Sequence, residues 1–230
     1  MLHNLEDIPP YLNKCIQINT INAHSYNVAQ KDVEFATTLL DSDYVIPDGQ
    51  SIVWARRLLL KENIKRIAGA DLFFWEMERM NKENGSVFFL GSTNKTLDKI
   101  KEKLIQEYPN VIVNVYSPPY KASFSEEENN EMISAINKAN PHVLFVGMTA
   151  PKQEKWIAQH IDRINVQHVC AIGAVFDFYA GNIKRAPEWM QDKGLEWLYR
   201  LMKEPRRMWK RYIIGNTKFF FYILKEKISD

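Results

Sequence analysis

The chain is poor in the residues that would announce a special chemistry. It holds two cysteines in 230 residues, Cys15 and Cys170, each in an apolar, strand-like run. That excludes a disulfide framework and a cysteine-ligated metal site, and makes a reducing compartment the expectation. Its nine glycines form neither a GxGxxG fingerprint nor a P-loop, so neither the dinucleotide nor the NTP signature is present. The five histidines (His3, His24, His142, His160 and His168) show no metal-ligand spacing. The longest unbroken apolar run, 219–224, is far short of the ~20 residues of a spanning helix. The opening MLHNLEDIPPYLNK lacks the basic and apolar regions of a signal peptide. A cytoplasmic location is the expectation.

What is present is a folded chain's composition: 46% apolar, 25% charged and no low-complexity tract. The length is enough to bury a real core. Aromatic residues, 12% of the total, crowd into the last third. The net charge of +2 is uneven, because Arg200 to Asp230 carries nine basic residues against three acidic ones. The tail is thus +6 and the rest −4. A basic, aromatic tail on an acidic body points to an anionic partner, whether phosphate, lipid headgroup or nucleic acid.

Short apolar runs at 15–20, 44–46, 87–90, 111–116, 143–147 and 166–172 read as strands. Helical periodicity at 23–40, 50–60, 71–82, 95–108, 126–139 and 151–161 alternates with them. This pattern predicts an α/β fold, a mostly parallel Rossmann-like sheet flanked by helices. After residue 183 the strands stop. A catalytic domain over 1–183 and a helical appendage over 184–230 follow, the appendage docking on the body or on a surface.

Ligands of open α/β sheets bind beyond the carboxyl ends of the strands. Four loops leave those ends here: TINAH, PDGQS, GSTNK and GMTAPKQEKW. In the last, Gly147 lets the chain turn, Thr149 suits a helix cap and Pro151 a first helical turn. Free N–H groups there, with Lys152 beside them, make a phosphate seat, although any β–α loop with a surface lysine looks the same. Asp41-Ser42-Asp43 has the look of an Asp-x-Asp metal motif. It lies between a helix end and a strand start, at the opposite edge of the sheet, and reads as a solvated turn. Asp48 in Pro-Asp-Gly is by itself a turn residue, Thr20, Asn22 and Asn27 are helix caps, and Arg66 is a solvated charge.

Together the segments say more. TINAH, PDGQSIVWA, RIAGADL, FLGS, VGMTAPKQEKW, AIGAVFDFYAGNIKRAPEW and GLEWLYRLMKEPRR run in register with the WecG/TagA/CpsF family of bacterial glycosyltransferases, which the chain resembles from about 16 to 212. The resemblance implies a nucleotide-sugar fold and an inverting transfer from a UDP-sugar, of N-acetylmannosamine type or related, needing no metal or other cofactor. The acceptor it implies is a polyprenyl-diphosphate-linked sugar, used in building a cell-surface polysaccharide or teichoic acid. The enzyme would sit peripherally on the inner face of the plasma membrane, its tail against anionic lipid or, as a homo-oligomer, against another protomer.

Carried over by position, the resemblance makes Asp48 the general base, with Thr20 and Asn22 orienting sugar hydroxyls. Arg66, Gln153, Arg200, Arg206, Arg207 and Arg211 become substrate-binding residues, and the strand-end loops add Gly91, Thr149 and Lys152 to them. Ser51 stands where the family often has glycine. The competing reading is a peripheral membrane or nucleic-acid-binding module that works through its tail. The body carries no basic stripe to support it, and no nucleic-acid partner is expected. A different nucleotide-dependent enzyme, such as an oxidoreductase or epimerase, is the third class, weakened by the absent glycine fingerprint.

Overall fold

The computed structural model describes residues 1–10 and 14–229. Six strands, β1 (Ile16–Ile21), β2 (Tyr44–Pro47), β3 (Ser86–Gly91), β4 (Ile112–Tyr116), β5 (Val143–Gly147) and β6 (His168–Ala171), form one all-parallel sheet. Their order is β2-β1-β6-β5-β3-β4. The central strands are buried on both faces, as SVFFLG and VLFVG demand. Val87, Phe89, Val143 and Phe145 face one layer of helices; Phe88, Leu90, Leu144 and Val146 face the other.

The first layer is α4 (Gly69–Glu83), α5 (Asn94–Glu107) and α8 (Val175–Tyr179), and the second is α6 (Glu126–Ala139) and α7 (Lys152–His160). Local chemistry starts several of these helices. Thr93 accepts the Thr96 N–H at the head of α5, and Ser125 and Glu128 form a capping box on α6. The helix expected over 23–40 is two, α1 (Ala23–Ala29) and α2 (Val33–Leu40). Asp32 breaks it, since its carboxylate accepts the Phe35 N–H at 3.0 Å and opens a new helix. The five-residue α8 is too short to show helical periodicity in the sequence.

Strand β3 feeds a helix on one face and its neighbour β5 feeds a helix on the other, as right-handed crossovers in opposite directions require. The connections leaving their carboxyl ends therefore diverge around a crevice, the place where such sheets bind ligands. Gly91 and Gly147 are paired across it. A Cβ on Gly91 would fall 2.4 Å from the Gly147 carbonyl oxygen, so only glycine allows the strands this approach.

The C-terminal segment continues through α9 (Glu188–Asp192), α10 (Glu196–Lys203), α11 (Pro205–Trp209), a π-helical turn (Lys210–Ile214) and α12 (Gly215–Ser229). Its last helix lies on α1 and on α3 (Gln50–Leu60). Phe219 and Ile223 are buried there with Ala23, Ile52 and Ala55. The Tyr26 ring meets Phe219 edge-on at 5.1 Å, and Asn27 donates to the Gly215 carbonyl at 2.7 Å. The tail is docked on the body, closing over the strand ends.

Candidate active site

Between the strand ends and the docked tail lies a cleft of about 1520 Å³. Thr20, Asn22, Asp48, Arg66, Gly91, Thr149, Lys152, Gln153, Arg200, Arg207 and Arg211 all line it. Arg206 does not: it is exposed on α11, and its neighbour Arg207 takes the cleft-facing position. Adjacent helical residues point about 100° apart, so only one of the pair can face inward.

The Pro-Asp-Gly turn sets Asp48 at the end of β2. Its N–H donates to the Ile21 and Ile46 carbonyls at 2.8 and 3.0 Å, which ties the turn to β1 and β2 alike. Gly49 follows at φ +134°, a conformation that opens α3 and that a side chain would strain. Asn22 caps α1, its Oδ1 accepting the His24 and Ser25 N–H groups at 3.0 and 3.1 Å, and its amide lies near enough to the Asp48 carboxylate to favour the ionised form. Burial holds the Asp48 carboxyl above the usual aspartate range, and the nearby Glu196 adds to that. Arg66, the Asn22 amide and Arg211 pull the other way.

The β5–α7 turn departs from expectation in one detail. Thr149 is exposed and does not cap α7, because Pro151 holds the cap position and no side chain bonds the helix start. The turn is braced instead by Gln153. Its Oε1 accepts the Met148 N–H at 3.1 Å and its Nε2 donates to Glu154 Oε1 at 2.9 Å. Glu154 is buried, and burial pushes its carboxyl up to about 7 against those hydrogen bonds. Lys152 turns to the loop after β4, donating to the Lys121 carbonyl with its Nζ 3.6 Å from the Phe124 ring centre.

Three arginines of the tail complete the basic wall. The Arg200 guanidinium sits 5.3 Å from the Phe178 ring centre, and its Nε is buried without a partner. Arg207 pairs with Glu204 at 2.8 Å. Arg211 is half-buried, and its Nε is also unpartnered. Burial draws its pKa down, with Arg200 and Arg207 adding to that and Tyr212 and Asp48 opposing. Three guanidinium groups lining one cleft are suited to a phosphate or diphosphate.

Asp41 and Asp43 lie away from all this. Asp43 precedes β2 at the opposite sheet edge, where it pairs with Lys14 and accepts the Gln17 N–H at 2.9 Å. Among the described residues no cluster of three or more His, Cys, Asp or Glu is set to hold a metal. Four features of the cleft are absent from the motif reading: His24, Arg185, Glu196 and the 117–124 loop. His24, Arg185 and Glu196 stood inside quoted segments, yet nothing local marks a helix-opening glutamate as a cleft residue.

An all-parallel α/β sheet with a carboxylate and a basic wall in a cleft at its carboxyl edge is a Rossmann-like fold with a ligand cleft suited to anionic groups. The sequence comparisons narrow this. The model of the Glycosyl transferase WecG/TagA/CpsF family matches residues 6–230, and the chain belongs to that family. It is 33% identical over 210 residues to the N-acetylglucosaminyldiphosphoundecaprenol N-acetyl-beta-D-mannosaminyltransferase of Bacillus subtilis (strain 168), covering 91% of this chain and 79% of that one. Proteins of the same name from Bacillus spizizenii (strain ATCC 23059 / NRRL B-14472 / W23) and Staphylococcus aureus (strain MW2) are 28% and 29% identical, covering 94% and 91% of this chain and 81% and 80% of theirs. The protein is a glycosyltransferase.

Proposed function

We propose that the protein transfers N-acetylmannosamine from a UDP-sugar to N-acetylglucosamine linked to a polyprenyl diphosphate, in cell-wall polymer synthesis, with inversion and without a metal. The observation that carries this reading is the meeting of Asp48 with the tail arginines in one cleft, in a chain whose relatives bear that acceptor and sugar in their names. In the reaction the acceptor hydroxyl attacks the anomeric carbon, and its proton passes to the Asp48 carboxylate as the new bond forms. Thr20 and Asn22 orient sugar hydroxyls. The bond to UDP breaks with its electron pair on the diphosphate. Arg200, Arg207, Arg211 and the α7 N-terminus stabilise that charge, in the manner of other preorganised electrostatic sites.

No helix among the described residues is long and apolar enough to cross a membrane. Trp209, Ile213, Phe220 and Phe221 are exposed on the tail near Lys210 and Lys218. That composition suits a peripheral seat on the inner, anionic membrane face, where the lipid-linked acceptor would be met. The test is a panel of UDP-sugars with a short-chain N-acetylglucosaminyl lipid diphosphate, with and without EDTA. Turnover with UDP-N-acetylmannosamine, a β-linked product and indifference to chelator are expected. An α-linked product rejects inversion, chelator-sensitive turnover rejects the metal-free route, and turnover only with another sugar rejects the donor.

A further inference from the structure

Glu196 opens α10, the tail helix that closes on the strand ends. Gly194, two residues earlier, is pressed against the first residue of α3, where a Cβ would fall 2.8 Å from Gln50 Cβ. The start of α10 is therefore seated on the turn that carries Asp48. From there the Glu196 carboxylate straddles two cations. Its Oε2 is 3.7 Å from Arg66 Nη1 and its Oε1 is 3.7 Å from Arg185 Nε. Arg185 reaches on to Asp71 Oδ1, also at 3.7 Å. Asp48, although it shares the cleft with Arg66, makes no ion pair among the described residues.

We propose that Glu196 is a positioning residue for the transfer, holding the Arg66 guanidinium off Asp48 so that the base stays unpaired and free to take the acceptor's proton. The inference rests on Asp48 as the base. A guanidinium closed on Asp48 would favour its ionised form, weaken it as a proton acceptor and occupy the lone pairs the hydroxyl needs. Glu196 draws that guanidinium into a bridge with Arg185 instead. It is also a like charge facing the base, so its second effect has the same sign.

The groups facing Asp48 come from several elements: Glu196 from α10, Arg66 from the segment before α4, Arg211 from the π turn and the neutral Asn22 from the head of α1. Arg200, Arg207 and His24 face Arg211 behind them. Of these, Glu196 is the acidic one. Taking its charge away leaves Asp48 among cations alone.

The decisive variant is E196Q, which keeps the side chain's size, compared with the native chain in pH profiles of kcat and kcat/KM. The acid limb should move to lower pH by roughly half a unit to one unit. Plateau kcat should fall roughly three- to tenfold while the donor KM stays within about twofold. E196D, with its carboxylate drawn back, should move the limb the same way by less, and it carries the test if E196Q folds poorly. A loss of kcat with the acid limb unmoved would mean that Glu196 only seats the tail, and no change in either would also overturn the proposal. D48N in parallel separates the two failures. If D48N keeps turnover and an acid limb, the base assignment falls and this inference with it; if D48N is inactive and the E196Q limb stays put, only the role of Glu196 falls.

Discussion

The side chain of Asn22 serves the first helix and the Asp48 carboxylate at once. Its oxygen accepts two N–H groups at the head of α1, and its amide stays beside Asp48, where it favours the ionised carboxylate. Helix start and candidate base are thereby fixed to each other, across the parallel pair β1–β2. Two substitutions separate these duties. Asn22→Ala should lose the cap, at a cost of about 0.5–2 kcal/mol, together with the amide beside Asp48. Asn22→Asp keeps a capping oxygen but sets a second carboxylate against Asp48, whose pKa then rises further. Its thermal stability should stay near native while turnover at neutral pH falls and the acid limb moves up. An Asn22→Asp enzyme with a native pH profile would show that the contact with Asp48 carries no catalytic weight.

Gly91 and Gly147 make a second prediction. The two strands approach so closely that the missing Cβ of Gly91 would meet backbone, which cannot rotate aside, and φ there is +125°. Gly91→Ala should destabilise by about 1–3 kcal/mol or more, as overpacked sites do. For a domain of this size that lowers the melting temperature by roughly 2–12 °C. The shift is read by calorimetry. A melting temperature unchanged from native would mean that the strand ends can part at no cost.

Much of this was legible in the sequence wherever the cause is local. Pro47 and Gly49 build their turn from their own backbone chemistry, so Asp48 could be placed at a strand end before any coordinates. The runs at 143–147 and 126–139 coincide with β5 and α6, because apolar period and capping residues act over a few positions. What stayed hidden depends on chain segments far apart. Glu196 reads as an ordinary helix-opening acid until Gly194 seats its helix on Gln50. The loop after β4 carries no motif, and becomes part of the site only because Lys152 reaches across to Lys121 and Phe124. Arg206 and Arg207 look equivalent in EPRR, and only the docking angle of α11 separates them.

Glu154 offers a pH prediction for stability. In the fold its carboxyl is raised to about 7, against an ordinary value of 4.5 in the unfolded chain. Below about pH 4.5 both states are protonated and the contribution is whole. As pH rises the unfolded chain loses its proton first, so stability drains away and the contribution is gone above about pH 7. The loss is roughly 3 kcal/mol. Glu154→Gln can still accept from Gln153 and has no proton to lose. Relative to native, the variant should therefore gain stability between pH 5 and pH 8 by chemical denaturation. A native-minus-variant difference equal at both pH values would refute it.

Arg211 acts on both halves of the proposed reaction, which gives its variant a double signature. The guanidinium lines the cleft, and it lies close enough to Asp48 to favour the ionised carboxylate. Replacing it with Gln removes a charge-assisted contact to the donor diphosphate, worth about 1.5–3 kcal/mol, and should weaken UDP binding by roughly 10- to 100-fold. It also leaves Asp48 with one cation fewer, so the acid limb of kcat should move to higher pH, opposite in sign to the shift expected for E196Q. Calorimetric titration with UDP reads the first effect and the pH profile reads the second. Weakened UDP binding with an unmoved limb would keep Arg211 on the leaving group but remove it from the surroundings of the base; unchanged UDP affinity would take it out of the donor site.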